Sequence, residues 1–217
     1  MFWVMAAAFS VLPAMALIKY TSAAEVEWNV YLSDILTTFS AVLIIGFAFT
    51  TCWAFGREYT DKTISDLLVK PVSKLKIATA KFAAITLWNI LLTVIIFAVV
   101  VIIGAFVGVT GGNIDIILRH FLMFLATAIL TMCVSTISAF LANLTRGYLA
   151  PIGLIFLIVV IVNVAVNVGL SAYVPWTIPG LLLSEGSLKP ISAAILLLTA
   201  IGGFAGTVAW WRYREQQ

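Results

Sequence analysis

The sequence of 217 residues predicts an all-α polytopic membrane protein: six transmembrane helices, with both termini in the cytoplasm. Three observations carry that expectation. First, the chain is 63% hydrophobic and only 10% charged, with a mean hydropathy of +1.16; a soluble domain averages roughly 45–50% apolar and about 25% charged. Second, the apolar residues fall into six runs, each near the ~20 residues that a spanning helix needs. Third, the Lys and Arg residues sit between the runs and are shared unequally between the two sides. These features exclude a soluble globular protein, a disordered chain and a second domain beside the bundle. The net charge of +3 belongs to the loops, so its distribution matters more than its sum, and no nucleic-acid partner is expected.

The expected spans are residues 2–18, 35–55, 82–108, 121–144, 152–170 and 191–211 of a single transmembrane domain covering residues 1–217. The first run carries an Ala14-Met15-Ala16 sequence of the kind found at cleavage sites, but no positive residue precedes it, as a secretory signal requires. It therefore reads as a span. The third run, at 1.5 Å per residue, is about 40 Å of helix and must tilt or project. Pro151 suits the first turn of the fifth span, where its missing N–H costs nothing. Residues 171–190 hold Pro175, Pro179 and Pro190 around an apolar Leu181-Leu182-Leu183. They are too short to span and too apolar for a free loop, which predicts an outer re-entrant or interfacial segment.

Orientation follows from the basic residues. Arg57, Lys62, Lys70, Lys74, Lys76, Lys81, Arg146, Arg212 and Arg214 share one side, against Lys19, Arg119 and Lys189 on the other. The positive-inside rule places the larger set in the cytoplasm. The expected location is the cytoplasmic membrane of a bacterium.

No Asp, Glu, Lys or Arg falls in the middle of any expected span. Charges at that depth are costly and are kept for proton relays, ion paths and voltage sensing, so those functions are disfavoured. The single histidine, His120, lacks a second His or a triad partner, and Cys52 and Cys133 have no metal-ligand or CxxC spacing. An enzyme or a zinc site would need more. No catalytic residue, metal ligand or cofactor of this chain is expected. The neutral polar residues in the spans include Thr38, Thr51, Asn89, Asn163 and Asn167. Asn163 and Asn167, four apart, share a helix face. Interhelical hydrogen bonding is their simpler reading, and a polar strip on a translocation path the functional one. Gly104 with Gly108, and Gly202 with Gly206, each form a GxxxG pair that permits close helix approach.

Residues 56–81 are the long polar stretch. Gly56 to Thr63 mimics a phosphate loop, but Asp61 occupies the place just before Lys62 where such a loop needs glycine, and the segment follows a membrane helix instead of a strand. Nucleotide binding by this chain is rejected. Two helices joined at Pro71 fit better. Thr63 and Asp66 have the spacing of a capping pair; Ile64, Leu67 and Leu68 line one face; Pro71 ends that helix. Ser73 can cap the next helix, which runs past Lys74 into the third span. The short amphipathic helix either lies on anionic lipid head groups or docks a soluble partner.

With Glu58, Thr63, Leu67-Leu68, Pro71-Val72-Ser73-Lys74 and Lys81 in this order, the segment resembles permeases of the ABC-2 type, nearest their bacitracin-exporter-like branch. Trp28 with Tyr31-Leu32, and Tyr173, Pro175, Trp176 and Pro179, fit the same pattern. The resemblance implies a type II (ABC-2) exporter transmembrane domain. It implies a coupling helix at residues 61–71 that presses on a separate ATPase subunit, through Glu58, Asp61, Thr63, Ile64, Leu67, Leu68, Pro71, Ser73 and Lys74. ATP and Mg would be held by that ATPase dimer. A second permease copy, or a homologous permease, would face this one through the second and fifth spans, placing Thr38, Thr51, Asn163 and Asn167 along the substrate path. Two positions depart from the family pattern. Lys62 stands where glycine is usual, and the basic amphipathic helix that precedes the first span has no counterpart, so either a truncated start or a weaker ATPase contact is expected. The implied function is export of an amphiphilic or hydrophobic substrate; the alternative is a non-transporting interaction, immunity or assembly subunit with the same fold.

Overall fold

A computed structural model describes residues 20, 26–64 and 71–213. The expected first span and the pair Leu67 and Leu68 lie outside the described residues. Within them the chain forms six helices: α1 Trp28–Thr60, α2 Lys74–Val107, α3 Ile114–Leu144, α4 Leu149–Asn167, α5 Ile178–Glu185 and α6 Pro190–Tyr213. All but α5 are long and apolar enough to cross a membrane. Five such helices in one chain indicate a multi-pass membrane protein. The spanning helices α1 to α3 run beyond the apolar stretches that predict them. α1, with 33 residues, is about 50 Å long, so both its ends project past a ~30 Å hydrocarbon core.

The helix ends follow local chemistry. Ser73 caps α2, its hydroxyl accepting from the Lys76 N–H at 3.4 Å. Asn113 caps α3 by accepting from the Asp115 N–H at 3.2 Å, and Asp115 lies in the first turn, where a negative charge suits the helix dipole. Pro190 opens α6 and Pro179 sits in the first turn of α5. At the other ends the chain turns left-handed, at Gly108 after α2 and Gly169 after α4, where the absent Cβ makes that backbone free of strain.

α3 is the hub, packing most extensively against α1 on one side and α6 on the other. The main core joins Leu36, Phe39, Leu43 and Phe47 of α1 to Phe97 and Val100 of α2 and to Phe124 and Ala128 of α3. The Tyr31 hydroxyl is satisfied there by donating to the Val100 carbonyl at 2.9 Å. A smaller cluster of Phe55, Ala78, Ile85, Ala139, Ala142 and Trp211 closes the opposite end of the bundle, the basic end, where Arg57, Lys62, Lys74, Lys76, Arg146 and Arg212 gather. α4 is attached mainly by Ile155, which is buried against Ala48 and Cys52 of α1. Residues 171–186 turn back into the bundle: Ile178 is buried against Val134 of α3 and Leu196 of α6, and Trp176 and Pro179 stand beside Ile44 and Ala48, midway along α1.

The close-contact glycines differ from the expected pairs. A Cβ on Gly203 would come within 2.5 Å of the Thr136 backbone, and one on Gly206 within 2.9 Å of the Phe140 ring, whereas Gly202 and Gly108 meet nothing. The face of α6 that touches α3 carries residue 203, so the GxxxG spacing is only half used.

Candidate functional site

The residues singled out in the sequence fall into two regions, one at the basic end and one along the exposed faces of α1 and α4. At the basic end, α1 finishes in a left-handed turn at Lys62 (φ 57°). The Lys62 N–H donates to the Tyr59 carbonyl at 3.2 Å and the Thr63 N–H to the Glu58 carbonyl at 2.9 Å, a Schellman closure that satisfies the last carbonyls of the helix. Lys62 occupies a position that favours glycine, because no side chain then opposes φ > 0.

The turn re-sorts the charges. The pairing of Glu58 with Lys62 that helical spacing suggests is replaced, because Lys62 has left the helix. Arg57 pairs with Asp61 at 2.8 Å instead, while Glu58 takes Lys81 of α2, Nζ to Oε1 at 2.5 Å. Lys81 also donates to the Ala54 carbonyl at 2.8 Å, with its ammonium 4.9 Å from the Phe55 ring centre and 5.9 Å from that of Trp211. One cation thus ties the exit of α1 to the entry of α2. Beside it, fully buried Asn143 of α3 joins three helices: its Oδ1 accepts from the Tyr59 hydroxyl of α1 at 3.0 Å and from Trp211 Nε1 of α6 at 2.6 Å. Its amide donates back to the Ala139 carbonyl at 2.7 Å. Sequence reading misses Asn143; the available signal was an amide in the last turn of an apolar run.

Around this knot lies an exposed surface. Asp61, Thr63, Pro71 and Ser73 are exposed, Lys74 is half-buried and Ile64 is packed into the smaller cluster with Phe55 and Trp211. Val72 and Leu75 are apolar yet 47% and 51% exposed. The structure therefore brings Glu58, Asp61, Thr63, Ser73 and Lys74 to one end of the molecule, on the two helix ends that Lys81 joins.

The second region is partly assembled. Thr38 is exposed on α1, its hydroxyl donating to the Asp34 carbonyl at 3.1 Å, beside exposed Ser33 and Thr37. Asn163 and Asn167 are exposed on α4, and their amides donate to the carbonyls of Val159 and Asn163 at 2.8 and 2.7 Å. That leaves each Oδ1 outward on an otherwise apolar helix. Thr51 is not in this group. It is fully buried between α1 and α3, bonded to the Phe47 carbonyl at 2.7 Å and 3.4 Å from the Ser135 hydroxyl, which makes it an interhelical contact within the chain. Asn89 is buried on α2 with neither side-chain polar atom bonded.

Among the described residues no group of three or more His, Cys, Asp or Glu side chains could hold a metal ion. His120 Nδ1 stands 2.9 Å from the Ile116 carbonyl of its own helix, and both cysteines are free.

The sequence pattern of the ABC-2 family transporter protein matches residues 1–163. The bacitracin transport permease protein of Bacillus licheniformis is 25% identical over 185 residues, spanning 81% of this chain and 88% of that relative. No solved structure matches the chain.

Proposed function

This chain belongs to the ABC-2 family of transporter proteins, and from that premise we propose that it is the permease subunit of an ATP-driven exporter, coupled through residues 56–81 to a separate ATPase. The membrane transporter subunit itself follows from the family and from the spanning helices; coupling, direction and cargo are the reading offered here.

The observation that carries it is the basic end. An exposed segment with apolar Val72 and Leu75 leads through a capped helix start into α2, and Lys81 locks that start to α1. ATP drives transport only if its binding changes the relative free energy of two permease states. A push on residues 61–74 would reach α2 as a rigid lever and α1 through the Glu58–Lys81 pair. By the positive-inside rule this end faces the cytoplasm, where ATP and Mg reside on the partner. The chain itself acts as no enzyme in this scheme.

The polar groups of Thr38, Asn163 and Asn167 are exposed on helices that meet lipid unless something covers them. Outward amide oxygens in hydrocarbon are unfavourable, which favours a second permease copy, or a homologous one, facing α1 and α4 with a path between. Apart from Asp34 near one end of α1, α1 up to Arg57 and the whole of α4 carry no charged residue, which suits an amphiphilic or hydrophobic cargo, such as a peptide antibiotic or lipid-like molecule, and the relative named for bacitracin transport is in keeping with that. Export confers resistance on the host in this reading.

The test is co-purification from mild detergent followed by reconstitution. An ATPase subunit that co-purifies, and Leu67→Glu with Leu68→Glu that abolish transport at unchanged expression, support the proposal. A chain that purifies alone and exports nothing with candidate peptides, drugs or lipids would favour the non-transporting subunit.

A further inference from the structure

A cavity of about 440 Å³ opens sideways between α2, α3 and α6, lined by Phe82 and Ile85, Met132 and Cys133, and Ile201 and Phe204. Thr86, Ser135 and Thr136 are its hydroxyls, and the last two are occupied by backbone carbonyls of their own helix. Ser135 donates to the Met132 carbonyl at 2.7 Å and Thr136 to the Cys133 carbonyl at 2.8 Å. No charged side chain lines it, so its wall offers nothing to hold an ion or a nucleotide, and a space this apolar favours hydrocarbon. It is a fixed feature: α6 is pinned to α3 at Gly203, and the Phe82 and Phe204 rings meet at 5.4 Å across its basic side, while the small side chain of Ala200 leaves the space between unfilled.

Arg212 indicates the occupant. Phe204, Val208 and Arg212 are spaced i, i+4, i+8, so they lie along one face of α6. Arg212 stands about 12 Å beyond Phe204 and about 18 Å beyond Ala200 at 1.5 Å per residue. One leaflet of hydrocarbon is about 15 Å deep, half of a ~30 Å core. A chain anchored at the height of Arg212 therefore ends in the cavity. Arg212 is exposed and has no carboxylate partner among the described residues; its guanidinium only faces the Tyr213 ring, at 5.6 Å.

We infer that the cavity holds one acyl chain of an anionic glycerophospholipid from the leaflet at the basic end, whose phosphate is bound by Arg212. The hydrocarbon restores the van der Waals contacts that an empty cavity forfeits, and the guanidinium selects the head group. This lipid would sit on the side of the bundle formed by α2, α3 and α6, away from the exposed polar faces of α1 and α4.

Native mass spectrometry of the purified protein, exposed in turn to phosphatidylglycerol, phosphatidylethanolamine and diacylglycerol, tests it. The wild-type chain should retain phosphatidylglycerol above the other two. Ala200→Phe should cut retention about tenfold or more, and Arg212→Gln, which leaves the cavity intact, should erase the preference for phosphatidylglycerol while keeping a lipid bound. Cys133 supplies a readout without substitution: phosphatidylglycerol should slow its alkylation by an apolar maleimide. Equal retention by Ala200→Phe, or equal retention of the three lipids by wild type, overturns the inference. So does a bifunctional thiol reagent that joins two copies through Cys133, because a second chain would then fill the cleft.

Discussion

Lys81 of α2 closes on Glu58 of α1, ammonium to carboxylate, with side chains only 18% and 19% exposed and their charges 23 residues apart in sequence. A pair of this exposure lies between the surface limit, where ion pairs contribute ~0–1 kcal/mol, and the buried limit, where removing one partner costs about 3–5 kcal/mol. Lys81→Met and Glu58→Gln should each destabilise the purified protein by about 1–3 kcal/mol. The double variant should lose less than the sum, since neither charge is then stranded. Unfolding of all three variants in detergent supplies the cycle, and additive losses would contradict the pairing.

Asn143 should matter more than either group it serves. Asn143→Leu removes the acceptor of the half-buried Tyr59 hydroxyl and strands the buried Trp211 indole N–H, the latter at about 1–3 kcal/mol. Tyr59→Phe removes one donor and leaves the acceptor with Trp211, so it should cost only about 1 kcal/mol. Thermal unfolding should rank the two variants in that order. If the proposed coupling holds, Asn143→Leu should also lower ATP-dependent transport more than it lowers expression.

Neighbouring glycines of α6 should behave oppositely. Gly203→Ala forces a methyl to within 2.5 Å of the Thr136 backbone, and overpacking of this kind costs about 1–3 kcal/mol. Gly202→Ala meets open space and removes a helix-interior glycine, which should stabilise by about 0.5–1 kcal/mol. Melting temperatures that move in opposite directions would bear this out.

The turn at Lys62 gives a similar contrast. A non-glycine residue in left-handed backbone costs roughly 1–2 kcal/mol, of which glycine's greater freedom in the unfolded chain returns about 0.5–1 kcal/mol. Lys62→Gly should therefore raise the melting temperature slightly. Lys62→Val, β-branched at positive φ, should lower it.

Five of the spans were legible among the described residues, because hydrocarbon imposes a length and a composition that a window of sequence displays directly. Their ends were less so: the run 35–55 belongs to a helix that starts at Trp28 and ends at Thr60, since flanking residues extend a helix without being apolar. Glu58 and Lys81 were each visible in the family pattern, but their pairing depended on α1 ending at Lys62, a backbone event that spacing does not report. Asn143 and the burial of Thr51 were set by which face of α3 meets α1, and the nearly all-round apolarity of these helices hides that face. The same ambiguity put Gly202 in place of Gly203.

The central claim, that the segment between α1 and α2 meets a separate ATPase, is tested most directly by photo-crosslinking in intact cells. A photoreactive residue replaces Val72 at the basic end, or Leu170 beyond α4 at the other; both are exposed, at 47% and 49%. The account predicts a covalent adduct between position 72 and an ATP-hydrolysing subunit, and none from position 170. Adducts to such a subunit from position 170, or only lipid adducts from position 72, would contradict it.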